Sequence, residues 1–369
     1  DPNTDPLTDE GKLVGTGPYV MSNWSTESVS LKANPDYWGG DLAVPQLNYV
    51  SYGDNAALTT ALVSGDADWA QAFIPQVEES YLSADPDNVF LVSPTPGAGT
   101  LFMNLQKKPF NNPALREALA WTIDREAYVD IAREGASEPI WNKTGLSSVL
   151  EDEIIDEYKD DNYSVDVDKA KEVLTEAGYT WNSGKLTDPD GEAVEFSVSV
   201  PAGWSDWNTE QALMSEELEK ALGIKVNVDQ PDFGGWDAGK QEGNFDAIIH
   251  WLEDTGNAYG LYTSTMDPKW IVDGKASFNF GRFDDPTVTE ALNTYANAAS
   301  DDERAEAGAV LQKAFVENVP AIPLGAHPLL GEFNTRNYVG WPSEDDQYAA
   351  GDPTQAGVVQ ILTKLKPKE

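Results

Sequence analysis

Tryptophan recurs beside carboxylates in segments punctuated by Gly, Pro, Asn and Asp. Asp68-Trp69 with Gln71 lies in SGDADWAQAFIP, Trp204 and Trp207 flank Asp206 in PAGWSDWN, and Trp341 lies in GWPSEDDQYA. A fourth segment runs from Trp251 through Asp254, Asn257 and Tyr259 in HWLEDTGNAYG. A Trp that only packs is best placed on the apolar face of a helix or strand. A Trp beside Gly and a carboxylate can instead offer a flat face to a ligand that also needs hydrogen bonds. A β-linked sugar has both requirements, with apolar C–H faces and a rim of hydroxyls that donate and accept. Burying about 100 Å² of one sugar ring against an indole contributes about 2.5 kcal/mol. The polar rim sets identity, because an unpaired buried polar group costs about 1–3 kcal/mol.

Each of these residues has a plainer reading. Trp69 also fits a core residue ending a strand, and Ser205 or Asp206 fits an N-cap. Trp251 fits a core position with Asp254 capping a short helix, although a strand running into a loop is where α/β units place ligands. Asn104, in FMNL, is a further candidate for ligand hydrogen bonds or a strand-end Asn without a role. Trp24, Trp38, Trp121 and Trp141 are assigned to packing.

Other chemistry is thinly represented. The chain has no Cys and only His250 and His327, which removes thiol catalysis, disulfides and thiolate metal sites and nearly removes imidazole chemistry. Asp284-Asp285-Pro286 and Asp301-Asp302-Glu303 lack the spacing of a calcium loop and read as helix starts or solvated turns. Gly15-Thr16-Gly17 has no following helix and Lys, so it is not a phosphate loop. No metal site and no cofactor are expected. The 63 acidic against 24 basic residues give a net charge of −39, which argues against a nucleic-acid partner.

The elements that must hold these residues follow from periodicity. A chain of 369 residues exceeds one core, so two lobes are expected. Strands are expected near GTGPY, over Ser28–Lys32 and from Gln46 to Tyr52. A helix follows, capped by Asp54-Asn55 and stopped by Gly65, and then a strand near 88–92. After SPTPGAGT, a chain crossing, Pro113 opens a helix whose apolar spacing continues to Gly135. A helix over 167–177 is closed by Gly178. Then come the strand VEFSVSVPA, a helix from about Asn208 to Leu222, the strand IKVNVDQ, the strand AIIHWL and a helix over ERAEAGAVLQKAFVEN. PAIPLGAHPLLGEF is read as a second crossing. No apolar run reaches the ~18 residues needed to span a bilayer. The opening DPNTDPLTDEGK is neither a signal peptide nor a start, and reads as a processed form or fragment.

VGTGPYVMSNWSTESVSLKANPDYWGG resembles the middle of family 5 solute-binding proteins of ABC transporters. ALVSGDADW, FMNLQKKPFNNPALREALAWTIDREAYV, VDVDKAKEVLTEAGY and LGIKVNVDQPDFGGWDAGKQEGNFDAII follow in that family's order. The resemblance implies an α/β, two-lobed periplasmic-binding-protein-like clamp of class II, cluster C type, without the family's N-terminal segment. It implies domain I over 1–97 and 330–369, and domain III over 98–329. DWAQAFIP, VPAGWSDWN and GWPSEDDQYA resemble the cello- and manno-oligosaccharide binders, whereas Asp254 matches the carboxylate with which peptide binders hold an amino terminus. The expected role is therefore a non-catalytic, monomeric binder that closes on an oligosaccharide, or alternatively an oligopeptide, and is recognised by ABC permease subunits. It is expected outside the cell, lipid-anchored or periplasmic. A glycoside hydrolase is the rival reading, since acids and Trp are plentiful, but no carboxylate pair can be placed across a cleft.

Overall fold

The computed structural model describes residues 15–252 and 256–369. The chain forms two compact units: residues up to Ser93 together with Leu329–Glu369, and Pro94–Pro328.

The larger unit is built on a five-stranded sheet of β1 (Ala98–Met103), β2 (Glu195–Ser199), β3 (Lys225–Asp229), β4 (Ala247–Trp251) and β5 (Ala321–Ala326), in the order β3-β2-β4-β1-β5. β2 lies parallel to both β3 and β4, while β1 runs antiparallel to β4 and β5. Strand alternation divides the interior between the two faces of the sheet. Leu101, Met103, Val198 and Ile249 join one core with α1 (Pro113–Thr122), α2 (Val167–Glu176) and α3 (Ser205–Leu222). Phe102 and Ile248 join the other, on the opposite face of the sheet.

Local chemistry sets the helix limits. Pro113 occupies the first turn of α1 behind an Asn112 cap, and Asp166 caps α2. α3 stops at Gly223, whose φ is 73°, and a Cβ there would stand 1.9 Å from the Gly184 carbonyl oxygen, so only glycine fits. α4 (Phe233–Glu242) starts at Asp232, whose side chain accepts from the Gly235 amide. α5 (Ala258–Met266), α6 (Pro286–Asn297) and α7 (Asp301–Asn318) complete the second face. The helix expected to run from Pro113 to Gly135 instead breaks at Ile123, which is extended. Asp124 then caps a new turn by accepting from the Ala127 amide at 3.1 Å, while its own amide donates to Glu217 at 2.9 Å. A cap residue within an apolar repeat ended the helix, and periodicity alone did not register it.

The smaller unit contains an antiparallel sheet of Tyr19–Trp24, Ser28–Ala33 and Gln46–Val50, and a second in which Leu329–Asn334 pairs with both Trp69–Ala70 and Asn88–Ser93. Asp54 caps the helix Asn55–Ser64, which Gly65 ends at φ 80°. Trp38, assigned to packing, is 81% exposed, so that assignment is corrected: it lies in the turn after Ala33 beside the Tyr37 ring, at 5.3 Å. Among the described residues no helix is long and apolar enough to cross a membrane.

Glu332 sits at the centre of the second sheet with no exposure. Its Oε2 accepts from the Ala72 amide at 3.0 Å, and its Oε1 has no partner among the described residues. Burial pushes this carboxyl well above the usual range. A raised acid adds nothing below the pKa of the unfolded chain and destabilises increasingly above it. Glu332→Gln is therefore expected to raise the melting temperature at pH 7, with the gain vanishing below about pH 4. Equal melting temperatures at pH 7 would contradict it. The net charge of −39 makes a second expectation: moving from about 50 mM to about 1 M NaCl screens self-repulsion and raises the melting temperature. Thermal melts at the two salt concentrations test this, and a fall would count against it.

Candidate functional site

The connections of the parallel strands determine where a site can form. From β2 the chain passes through α3 to β3 on one side, and then through α4 to β4 on the opposite side of β2. The loops leaving β2 and β4 therefore diverge to opposite faces and open a crevice at the carboxyl ends of the strands, the position where open α/β sheets take ligands. Trp204 ends the first loop and Trp251 ends β4. Their rings stack, 6.2 Å between centroids and 24° between planes, and both are half-buried.

The loop bearing Trp204 is held by Asn208 in the first turns of α3. Its side-chain oxygen accepts from the Gly203 amide and its NH2 donates to the Pro201 carbonyl, both at 3.0 Å. Trp204 is the centre of a ring cluster, with Trp207 at 5.2 Å, Trp236 at 5.5 Å and Phe233 at 5.9 Å. Trp207 and Trp236 are 3% and 2% exposed and form the backing, whereas Phe233 is 51% exposed. Trp236 donates its indole N–H to the last carbonyl of β2, Ser199, at 3.3 Å, which fixes its plane.

Both histidines join this cluster as neutral rings. His250 stacks on Trp236 at 5.5 Å and 12°, and His327, immediately after β5, lies parallel to Trp251 at 6.4 Å and 13°. Burial, and then the Lys240 ammonium, hold His250 well below the ordinary imidazole range. Burial, with Arg133 nearby, brings His327 down to about 4. Neither is a charged donor at neutral pH, and both extend the ring stack behind Trp204, His250 from a buried position. Deeper lies an ion pair between Arg133 Nε and Glu210 Oε1 at 2.6 Å, both residues buried, and burial raises the Glu210 carboxyl. Carboxylates edge the strand ends: Asp206 in the first turn of α3, and exposed Asp229 and Asp232. Rings edged by acids suit a neutral, hydroxyl-rich or cationic ligand and disfavour an anion.

Of the residues chosen from sequence, Trp204, Asp206, Trp207 and Trp251 come together in this way. Trp207 is corrected from a stacking face to a backing residue, because the third position of α3 turns its ring into the core. Asn104 is corrected as well. It is 2% exposed, its NH2 donates to the Gly243 and Phe245 carbonyls and its oxygen accepts from the Gln106 amide, so its hydrogen-bonding capacity is taken up internally. Asn257 caps α5 by accepting from the Tyr259 amide. Tyr259 packs on Tyr295 at 5.7 Å and takes a hydrogen bond from Lys269 at 2.8 Å. Asp254 lies outside the described residues.

Trp69, Gln71 and Trp341 belong to the smaller unit. Trp69 donates its indole N–H to the Gly351 carbonyl at 2.5 Å and meets Trp341 edge-on at 5.0 Å. Trp341 stacks on Phe333 at 4.6 Å, and its indole N–H is buried without a partner among the described residues. Both are half-buried, and the Gln71 amide makes no hydrogen bond among the described residues. Sequence reasoning missed Phe233, Trp236, Lys240, His250 and His327. The i, i+3 aromatic pair in DFGGWDAGK was the available signal.

Among the described residues no group of three or more His, Cys, Asp or Glu is arranged to hold a metal.

The family model for bacterial extracellular solute-binding proteins, family 5, in its middle region, matches residues 2–271. Protein XP55 of Streptomyces lividans is 29% identical over 325 residues, covering 86% of this chain and 56% of the relative. Di/tripeptide-binding protein 2 of Pseudomonas aeruginosa is 25% identical over 333 residues, covering 89% and 59%. The chain thus spans less than two thirds of the length of these relatives. Among solved structures, a mannohexaose-bound periplasmic oligopeptide-binding protein of Thermotoga maritima matches with a TM-score of 0.83 and 24% identity, over 96% of this chain and 69% of that one. The oligopeptide-binding protein of Bacillus subtilis in complex with a nonapeptide matches with a TM-score of 0.78 and 17% identity, over 98% and 68%. These likenesses show an α/β, periplasmic-binding-protein-like fold. The chain belongs to the bacterial extracellular solute-binding proteins, family 5.

Proposed function

We propose that this chain is the ligand-capturing part of the substrate-binding component of an ABC importer, and that its ligand is a β-linked oligosaccharide. The observation that carries the ligand assignment is the stacked, half-buried pair Trp204 and Trp251 at the crevice between the loops after β2 and β4, edged by carboxylates. Flat rings with polar neighbours match the alternating C–H faces and hydroxyl rims of a sugar chain. The mannohexaose in the Thermotoga maritima relative supports the same reading. Trp204, Trp251 and Asp206 are the proposed ligand contacts of the larger unit; Trp69, Gln71 and Trp341 are candidate contacts of the smaller unit taken by itself. In this reading residues 1–97 and 330–369 are domain I and 98–329 domain III.

The extracellular description of the family supports action outside the cytoplasm; in this reading permease subunits are the partners and the role is non-catalytic. His250 has both ring nitrogens engaged, Nε2 by Lys240 and Nδ1 by the Trp251 carbonyl oxygen, which speaks against its acting as the base for a nucleophile. Peptide capture is the second reading. It is favoured by the di/tripeptide-binding relative and the nonapeptide-bound neighbour.

Calorimetry with mannohexaose and with a nonapeptide separates the two readings, and chromatography of the recovered sugar tests for turnover. Mannohexaose is expected to bind and return intact. Trp204→Ala weakens mannohexaose binding by more than ~1 kcal/mol, roughly fivefold or more. Trp207→Ala instead lowers stability by about 3–5 kcal/mol, as expected for a buried ring. Unchanged affinity in Trp204→Ala, or cleaved sugar, would overturn the assignment.

A further inference from the structure

Lys240 is 9% exposed, an unusual place for an ammonium group unless it is partnered. Its Nζ has four neighbours: Asp237 Oδ1 at 2.9 Å, His250 Nε2 at 3.1 Å, the Trp236 ring at 4.5 Å and the Phe280 ring at 5.2 Å. An ammonium only donates, so His250 Nε2 accepts and the ring proton resides on Nδ1. Nδ1 in turn faces the Trp251 carbonyl oxygen at 2.7 Å and donates to it. With the proton on Nε2 instead, two lone pairs would confront each other across that short distance. The ring is also confined sideways, parallel to Trp236 and 4.1 Å from the Trp251 ring.

We propose that Lys240 is a positioning residue of the ligand wall: by fixing one tautomer of His250 it holds the Trp251 carbonyl and the Trp236 plane, and so sets the Trp204–Trp251 arrangement before ligand arrives. The consequence for ligand binding rests on the oligosaccharide reading, whereas the tautomer and the ring arrangement do not. A methionine would fill the same space without burying a charge, so packing alone gives no reason for lysine here. Among the described residues, the charged and titratable groups facing His250 are Lys240, with Asp237 behind it, and His327, which has Arg133 beside it. The remaining ring neighbours, Phe102, Phe278 and Phe280, carry no titratable group.

The test uses the full chain as wild type, Lys240→Met and Asp237→Asn, the last a milder change at a partly exposed residue. Long-range nitrogen–proton NMR of His250 reads the tautomer, near-ultraviolet circular dichroism reads the tryptophan arrangement, and calorimetry reads mannohexaose affinity. Wild type is expected to show a single Nδ1–H tautomer and an affinity flat between about pH 5.5 and 8. Lys240→Met is expected to add the second tautomer, alter the tryptophan dichroism and weaken mannohexaose about tenfold at pH 8, with Asp237→Asn intermediate. A wild-type Nε2–H tautomer would overturn the proposal, as would unchanged tautomer and dichroism in Lys240→Met. If mannohexaose fails to bind even wild type, the oligosaccharide reading fails alone, and the tautomer and dichroism still decide the role of Lys240.

Discussion

Parallel neighbouring strands cannot be joined by a tight turn. The chain must return along a face of the sheet, so every such strand delivers its carboxyl end to the same edge. In the larger unit β2, β3 and β4 obey this constraint, and because β4 falls on the side of β2 opposite β3, the two returning helices cover different faces. The crevice holding Trp204 and Trp251 is a product of that topology before any side chain is chosen. What the side chains add is rigidity: Trp207 and Trp236 fill the space behind Trp204, and the neutral imidazoles of His250 and His327 continue the stack.

The split between what the sequence discloses and what it hides follows the range of the interaction involved. Asp54, Pro113, Gly178 and Gly223 act within a turn of their own position, and the elements they bound were legible from residue type alone. Trp204 was legible for the same reason, since its turn is marked by Pro201 and Gly203. Asn104 and Trp38 were misread because their surroundings come from elsewhere in the chain. Asn104 is claimed by carbonyls about 140 positions later, and among the described residues no segment covers Trp38. The roles of His250 and Lys240 were invisible, because the only local cue was a lone histidine in a strand and a lysine near a helix end, each with commonplace explanations.

Aromatic surface and negative charge are arranged in complementary ways. Carboxylates crowd the outside, where hydration sustains them, while the few buried ionisable groups are met by specific partners or held neutral. The ring cluster of indoles and imidazoles is thus assembled from uncharged groups, with the carboxylates kept to its edge.

The pair Arg133 and Glu210 has a consequence for substitution. The Arg133 guanidinium lies so close over β1 that a Cβ on Gly99 would come within 2.2 Å of Nη2, and both Nη2 and Glu210 Oε2 lack partners among the described residues. Losing either ion strands the other in a dry interior, and enlarging Gly99 displaces the arginine. These three positions are therefore coupled energetically: a change at any one of them alone leaves the other two in an arrangement that no longer fits.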